Sequence, residues 1–384
     1  MATGKFRSGN AITLLESGTE YFPALEAAIL NAQREVYLET YIFADDETGR
    51  RIADALIKAV VRGVHVGVVV DGFGSRLIAK TLVHEMRSRG VKIFVFRPEV
   101  TGLRFHRHRL RRLHRKIAVI DSAVAFVGGI NIINDVQIPE QISPRYDYTV
   151  RIEGPLLSDI YPAATQLWRH LYWLTFHGSF LPPRSLPIIR TAGSTAAAFL
   201  IRDNVRHRRD IEQAYLRAIA SAQNEIVIAN AYFLPGKRFR RALTDAAARG
   251  VRVVLLLQGR VEYFWMHYAT RALYGSLLAG GVEIMEYHKS FLHAKVAVID
   301  LEWATVGSSN IDPFSLMLAR EANVVIRDQA FARQLRDSLE KAMVEGATPV
   351  QGGSERRSMT ERMLAWTCYE LGRFVMGLFG YEQD

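Results

Sequence analysis

The sequence has very little cysteine, since Cys368 is the only one among 384 residues. A single thiol excludes an internal disulfide and a cysteine-rich metal site, and it is typical of a protein that works in a reducing compartment. No group of carboxylates has the spacing of metal ligands either. We therefore predict no metal and no other cofactor.

Long apolar runs are also missing. No stretch reaches the roughly 20 apolar residues that a transmembrane helix needs. The first residues, Met1 to Lys5, contain no apolar segment of the kind that signal peptides carry. The sequence thus predicts neither a membrane span nor a signal peptide. A composition of 49% hydrophobic and 23% charged residues indicates a globular protein, and the length favours two domains or lobes.

Acidic residues are the minority among the charged ones. The chain has 49 Lys and Arg against 39 Asp and Glu, which gives a formal net charge of +10. Such an excess indicates an anionic partner, which on charge alone is either nucleic acid or an acidic membrane surface.

One polar pattern, H-x-K-x4-D-x6-G-[GS]-x-N, occurs twice without a gap. Its members are His114, Lys116, Asp121 and Asn131 in the first copy and His293, Lys295, Asp300 and Asn310 in the second. Two full copies are hard to explain by packing alone, although two core strands with His and Lys at their rim would be the alternative. Asp121 and Asp300 lie across a strand from the histidines, which favours structural support over contact with a substrate.

The spacing within each copy suits chemistry at a phosphate group. Two residues apart on a strand, His and Lys leave the same face, and the apolar runs 117–120 and 296–299 predict buried strands after them. A second strand in each half ends in a glycine turn and an Asn. We expect the lysines, both asparagines and Ser308 to hold phosphate oxygens, while one His attacks phosphorus and the other protonates the leaving oxygen.

The paired pattern resembles the phospholipase D superfamily, whose hallmark is a duplicated His-Lys-Asp motif. The segments 113–116, 202–207, 228–233 and 306–313 are similar to those of bacterial cardiolipin synthases, most of all the B type, which lacks amino-terminal membrane helices. The resemblance covers nearly the whole chain. It implies an α/β class and a duplicated phospholipase D-like fold, in which two α/β/α lobes with mixed sheets hold the active site between them.

The resemblance also implies a carboxylate partner for each histidine. Asp147 follows the first motif and Glu321 the second, each on a strand-like run. In the superfamily, an acid at such a place orients the catalytic histidine of the opposite half. We therefore expect Glu321 beside His114 and Asp147 beside His293, where each carboxylate would fix the tautomer of its imidazole.

A strongly basic segment directly precedes the first motif. Residues 104–116 contain seven Arg or Lys, three His and no acid. Beside a histidine that handles phosphate, these residues predict a lip that binds lipid headgroups, and a solvated loop is the alternative. The arginines of this predicted lip are Arg104, Arg107, Arg109, Arg111 and Arg112.

Internal repetition divides the chain into three parts. Matching segments such as Arg62-Gly63-Val64 and Arg249-Gly250-Val251 recur in the two halves, where helical patterns alternate with apolar strands. The predicted helices span 21–31, 48–62, 211–222 and 238–249. We predict a first lobe at 8–190, a second lobe at 199–346 and an amphipathic carboxy-terminal helix at 354–384.

Aromatic residues give a further hint about the substrate. They cluster at 168–180 and 263–274, which suits a membrane interface and equally a protein core. In the tail, apolar residues at helical spacing from Met363 to Gly380 are interrupted by charges. The tail therefore predicts a helix that attaches to a membrane surface, and packing on the body or on another subunit is the alternative.

The resemblance implies the reaction of a cardiolipin synthase. A phosphatidyl group, held as a phosphohistidine, would pass from one phospholipid, with phosphatidylglycerol the expected donor, to phosphatidylglycerol, giving cardiolipin and glycerol. Water as acceptor would instead make a phospholipase D-type phosphodiesterase or a nuclease, and the motif does not choose among these. The expected partners are phospholipids and an anionic membrane surface, without nucleic acid. The expected location is peripheral, on the cytoplasmic face of the bacterial cell membrane, and the oligomeric state is left open.

Overall fold

Strands and helices alternate through both halves of the chain. The computed structural model describes residues 4–76, 81–97, 112–134, 144–175, 190–203, 207–312, 315, 319–351, 363, 366–368 and 370. The elements of the first half are β1 (Arg7–Glu16), α1 (Ser17–Leu30), β2 (Glu35–Thr40), α2 (Glu47–Val61), β3 (His65–Asp71), α3 (Leu82–Ser88), β4 (Lys92–Phe96), β5 (Lys116–Ile120), β6 (Val124–Gly128), β7 (Tyr148–Glu153) and α4 (Leu157–Thr175).

The second half repeats this order, with two helices after β10 where the first half has one after β3, and with an additional final strand. Its elements are β8 (Thr195–Arg202), α5 (Asp210–Ser221), β9 (Glu225–Asn230), α6 (Lys237–Ala248), β10 (Arg252–Gln258), α7 (Phe264–Arg271), α8 (Tyr274–Ala279), β11 (Glu283–Tyr287), β12 (Lys295–Ile299), β13 (Trp303–Gly307), β14 (Glu321–Arg327), α9 (Gln329–Gly346) and β15 (Ala347–Pro349). The four predicted helices correspond to α1, α2, α5 and α6, and the main difference is that α1 begins four residues earlier, at Ser17.

All strands belong to one mixed sheet in the order β15-β11-β10-β9-β12-β13-β14-β8-β1-β7-β6-β5-β2-β3-β4. The strands β2, β3 and β4 are parallel to one another, as are β9, β10 and β11, whereas the remaining pairs are antiparallel. The half-sheets join edge to edge where β1 pairs antiparallel with β8. The predicted α/β class with mixed sheets is confirmed, and the edge-to-edge junction is a feature that the sequence did not reveal.

Helices cover both faces of this sheet and create three cores. The helices α1 and α2 bury the outer face of the first lobe, and α5 and α6 bury that of the second. A central core contains residues of both lobes, with α4 and α9 packed on the inner face. The result is a three-layer arrangement, which a largely apolar mixed sheet needs because both of its faces must be covered.

The turns after β5 and β12 are equivalent and depend on one aspartate each. The Asp121 carboxylate accepts hydrogen bonds from the backbone N–H groups of residues 33, 34 and 35, at 2.8, 2.7 and 3.0 Å. The Asp300 carboxylate does the same for residues 223, 224 and 225, at 2.7, 2.7 and 2.9 Å. Both aspartates have left-handed backbone conformations, with φ of 53° and 52°. Each aspartate therefore ties the turn to the start of the neighbouring strand.

Replacing Asp300 by Ala should destabilise the fold without a specific loss of catalysis. Three hydrogen bonds to a charged acceptor disappear, so we expect the free energy of unfolding to fall by about 1–3 kcal/mol in urea titrations. Asp300→Asn is the matched control, because Asn tolerates the left-handed conformation and keeps one acceptor oxygen. A large drop in activity per folded molecule for Asp300→Ala would assign this residue to the chemistry instead.

Candidate active site

The site is built where the backbone of each lobe pairs with the other. Leu113 forms a parallel bridge with Arg320, and Tyr146 forms one with Leu292. The His114 N–H donates to the carbonyl of Arg320 at 3.0 Å. In the equivalent place, the N–H of His293 donates to the carbonyl of Tyr146 at 2.9 Å. The residue before each acid therefore positions the histidine of the opposite lobe.

Each histidine contacts a carboxylate from the opposite lobe. His114 Nδ1 lies 2.9 Å from Glu321 Oε1, and His293 Nδ1 lies 2.7 Å from Asp147 Oδ2. Both carboxylates are buried. Because Nδ1 is engaged in both rings, the Nε2 atoms are the ones left to meet a substrate. The structure thus brings together the two pairs that the resemblance implied.

The two motif lysines lie beside their histidines, as the two-residue spacing predicted. Lys116 Nζ donates to the carbonyl of His114 at 2.8 Å and lies 5.5 Å from the centre of the Tyr41 ring. Lys295 Nζ donates to the carbonyl of His293 and lies 3.4 Å from Asp147 Oδ2. Both lysines are almost completely buried. A phosphate group can therefore reach them only by entering the cleft.

Burial disfavours positive charge throughout this site. It lowers the pKa of Lys116 to about 7, an effect that Glu321 opposes and Lys295 reinforces. It also lowers the pKa of Lys295 and of both histidines, with His293 well below its ordinary value. A cluster of buried cations is costly without enough opposing charge, so an anion in the cleft would raise all of these pKa values.

The two asparagines lie on equivalent turns but are held differently. Asn131 accepts a hydrogen bond from the N–H of Ile42 at 3.1 Å. The amide nitrogen of Asn310 lies 3.5 Å from the hydroxyl of Ser315, and its buried Oδ1 has no hydrogen-bond partner among the described residues. Their position near the cleft fits the expected contact with phosphate.

Ser308 is engaged in a way that differs from the expectation of phosphate binding. Its hydroxyl donates to Glu321 Oε2 and accepts the N–H of Ala322 at 3.1 Å. A hydroxyl has only one proton, so Ser308 cannot donate to a phosphate at the same time. Gly129 takes the equivalent place in the first lobe, where a Cβ would lie 2.3 Å from Asp147 Oδ1. Ser308 therefore positions a carboxylate, and Gly129 leaves room for one.

Several residues expected at the site lie away from the cleft or outside the described ranges. Asp121 and Asp300 stand at the far ends of β5 and β12, with their carboxylates committed to backbone N–H groups. The chemistry of the cleft therefore does not include them, because each one follows the end of a five-residue strand that begins with its lysine. Arg104, Arg107, Arg109 and Arg111 fall in residues that the structure does not describe, whereas Arg112 lies 5.3 Å from the Phe73 ring.

Asp71 is a positioning residue that sequence reasoning missed. Its buried carboxylate accepts the N–H groups of Leu113, Phe73 and Gly74, at 2.9, 2.8 and 3.2 Å. The contact with Leu113 fixes the backbone directly before His114. A signal existed, because Asp71 ends a buried parallel strand at the sheet edge where α/β proteins place functional groups.

A second missed group surrounds His293. The Tyr232 hydroxyl donates to Glu262 Oε2 at 2.5 Å, and Arg145 Nη2 donates to Glu262 Oε1 at 2.9 Å. The Tyr232 ring lies edge-on to His293 with 6.4 Å between ring centres. Glu262 favours the charged form of His293, although burial dominates its pKa. The two histidines therefore have different surroundings in spite of the duplication.

Within the described ranges, no cluster of His, Cys, Asp or Glu side chains is arranged to hold a metal ion. The same part of the chain contains no helix that combines the length and the apolar character needed to cross a membrane.

Comparison with known proteins identifies the family. The model of the family "Cardiolipin synthase, PLD-like domain" matches residues 25–162 and 215–343, which is one match in each lobe. The chain belongs to this family. It is 42% identical to cardiolipin synthase B of Salmonella typhimurium over 355 residues, which are 90% of this chain and 83% of the relative. It is 41% identical to cardiolipin synthase B of Escherichia coli K12, over 87% of this chain and 80% of the relative.

A solved structure agrees on the fold. The phosphatidylserine synthase of Haemophilus influenzae aligns with a TM-score of 0.69, at 17% identity, over 96% of this chain and 94% of the other. At that identity the likeness concerns the fold alone. The family match and the cardiolipin synthase relatives make the chain a phosphatidyltransferase of the phospholipase D superfamily. The solved structure supports the phospholipase D-like fold, and the family match in each lobe supports its duplication.

Binding of an anionic phosphodiester should draw protons into the site. At pH 8 Lys116 is mostly neutral, because its pKa is about 7, and a bound anion raises that pKa. We expect net proton uptake when diethyl phosphate is titrated at pH 8 in two buffers of different ionisation enthalpy. The part of the uptake that is lost in Lys116→Met should shrink as the pH falls below 7, where the lysine is already charged. Lys116→Met is the control that should reduce the proton uptake. Binding without proton uptake at pH 8 would contradict a neutral Lys116 in the unliganded site.

Proposed function

We propose that the protein makes cardiolipin by transferring a phosphatidyl group from phosphatidylglycerol to a hydroxyl of a second phosphatidylglycerol, with release of glycerol. The observation that carries the proposal is the pair of histidines, each held by a carboxylate of the opposite lobe and each with a buried lysine beside it. This set suits two successive displacements at one phosphorus atom. The family match supports the choice of a phospholipid as substrate.

In the first half-reaction, His114 Nε2 attacks phosphorus and the bond to the glycerol headgroup breaks. His293 donates its Nε2 proton to the leaving glycerol oxygen, and the phosphatidyl group remains on His114 as a phosphohistidine. Lys116 and Lys295 neutralise the non-bridging oxygens, and Asn131 and Asn310 add neutral donors. Glu321 stabilises the charge that develops on the His114 ring.

In the second half-reaction, a hydroxyl of the acceptor lipid attacks the phosphohistidine. His293 now accepts the proton of that hydroxyl, and the bond between phosphorus and His114 breaks. The nearby charge of Glu262 supports His293 as the proton carrier, because it favours the protonated ring against the burial that lowers the pKa of His293. Among superfamily members, the first motif copy usually attacks, which supports His114 as nucleophile.

Hydrolysis is the alternative outcome of the same chemistry. If water took the place of the acceptor, the product would be phosphatidic acid, and the protein would be a phospholipase D-type phosphodiesterase. A nuclease would use the same groups on a nucleic acid. The likeness to cardiolipin synthases over about nine-tenths of the chain favours transfer to a lipid.

We further propose that the protein works as a peripheral protein at the anionic, cytoplasmic face of the bacterial cell membrane. The net charge of +10 supports attraction to acidic lipids. Most of the tail proposed for attachment, 354–384, lies outside the described residues. Within the described part, Cys368 packs against the outer core of the second lobe, and Trp366 is exposed. The tail thus has a body-facing side and an exposed aromatic residue.

Purified protein should convert phosphatidylglycerol in mixed micelles to cardiolipin and glycerol in equal amounts. Mass spectrometry of the lipid and aqueous phases measures both products. A double variant, His114→Ala with His293→Ala, is the control and should form neither. Phosphatidic acid with glycerol, in the absence of cardiolipin, would replace the synthase by the hydrolase.

His293→Ala should separate the two half-reactions. A substrate with a good leaving group, such as a p-nitrophenyl phosphodiester, does not need a general acid, so covalent phosphate should still accumulate on His114. Turnover of phosphatidylglycerol should fall by roughly 10²–10⁴-fold, since the leaving glycerol is poor. Acid-labile phosphate can be located by peptide mass analysis. Phosphate found on His293 of the native enzyme would invert the assignment.

A further inference from the structure

Exposed apolar side chains concentrate at the mouth of the cleft. Five of the twelve exposed large hydrophobic residues in the described part of the chain lie in the two segments that follow β3 and β10, the second of which includes the first turn of α7. We call this set the aromatic rim; its members are Phe73, Val261, Tyr263, Phe264 and Trp265, which are 49, 52, 55, 56 and 38% exposed. So dense an apolar group on a protein surface indicates an interaction site.

The two segments are equivalent in the duplicated fold. One begins after Asp71 at the end of β3, and the other begins after Gln258 at the end of β10. These strands occupy the same position in the two half-sheets, next to β2 and β9. The rim is therefore contributed by both lobes, on either side of the cleft between them.

On the side of the first lobe, the rim is adjacent to His114. The Ser75 hydroxyl donates to the carbonyl of Tyr41 at 2.9 Å, and a Cβ on Gly74 would lie 2.9 Å from the Tyr41 ring. The Tyr41 ring in turn packs edge-on against His114, with 4.8 Å between ring centres. Phe73 thus lies on the loop that covers the immediate neighbour of a reacting histidine.

On the side of the second lobe, the rim is adjacent to His293. The Tyr263 ring lies 5.6 Å from the Tyr232 ring, which itself lies against His293. Glu262 is partly buried and hydrogen-bonds Tyr232 and Arg145, whereas its apolar neighbours in the chain are exposed. The acid among them is therefore engaged by the protein, and the apolar side chains face solvent.

Arginines are placed among the rim residues. The guanidinium groups of Arg76 and Arg112 lie 5.2 and 5.3 Å from the centre of the Phe73 ring. Arg260, which precedes the second part of the rim, lies 5.7 Å from the Phe291 ring. Aromatic side chains with interspersed arginines match the boundary between acyl chains and anionic headgroups.

We propose that the aromatic rim docks on the surface of an anionic bilayer, so that the cleft opens directly onto the lipid headgroups. The inference rests on the proposed function, because it presupposes that the substrate is a phospholipid. A protein partner or a second copy seated on the rim would block the mouth of the cleft. A bilayer would instead deliver the phosphate to the buried histidines and lysines.

The test compares two double variants of the full chain. Phe264→Ser with Trp265→Ser removes two rim side chains that project into solvent, whereas Val61→Ser with Val344→Ser removes two that are 80 and 77% exposed on α2 and α9. Binding is measured by sedimentation with phosphatidylglycerol–phosphatidylcholine vesicles. We expect the rim variant to bind at least tenfold more weakly and to lose turnover of vesicle substrate relative to a soluble short-chain diester. The control should bind within twofold of the native protein.

A second measurement keeps the test independent of folding. Vesicles with brominated acyl chains should quench part of the tryptophan emission, and that part should shrink in Trp265→Phe but not in Trp173→Phe. Native-like binding by the rim variant, or equal quenching in both Trp variants, would overturn the docking surface while leaving cardiolipin synthesis in mixed micelles intact. The docking surface would also be overturned if the native protein and the control variant were dimers and the rim variant were a monomer. Absence of cardiolipin with normal vesicle binding would instead overturn the proposed function alone.

Discussion

The exchange of carboxylates between the two lobes is the constraint on which the rest of the structure depends. Each catalytic imidazole is paired with a buried acid of the opposite lobe, and Lys295 lies beside one of these acids. A buried charge without its partner is costly, and breaking such a pair removes several kcal/mol of stability as a rule. Neither lobe alone contains a complete pair. The active site therefore depends on the edge-to-edge junction of β1 with β8 and on the shared central core, because they hold the two lobes in this register.

Sequence reasoning succeeded where the signal was local. Apolar periodicity predicted α2 and α6 to within a residue or two at each end, and the two-residue spacing predicted the adjacency of His114 and Lys116. The pairing of the lobes was inferred from family resemblance, since no local pattern encodes which acid meets which histidine. Asp71 was missed, and Ser308 was expected to bind phosphate. In both cases the contact partner, Leu113 or Glu321, is not a neighbour in the sequence, and only the register of the sheet brings it beside the residue.

The duplication supplies two similar histidines, and divergence makes them chemically different. In the first lobe, Gly129 leaves space for the short side chain of Asp147. In the second, the longer Glu321 is held by the Ser308 hydroxyl, which orients one oxygen and leaves the other for the imidazole. Tyr232 and Glu262 add a further polar shell around His293, whereas the Tyr41 ring packs on His114. A reaction with two half-steps needs one histidine that binds phosphorus and another that carries a proton, so such asymmetry is useful at a site with near-twofold symmetry.

The electrostatics of the cleft and the chemistry of the surface around it both serve the capture of an anionic lipid substrate. Burial disfavours the charged forms of the lysines and histidines, and a bound phosphate anion offsets that cost, so the site gains its catalytic protonation state together with its substrate. The same burial keeps bulk water from the reacting groups, which matters because water competes with the acceptor hydroxyl. A cleft whose lysines are buried can receive a lipid phosphate directly from a membrane surface that faces its mouth. Apolar residues on both sides of the mouth, with arginines among them, provide the contact that such delivery requires.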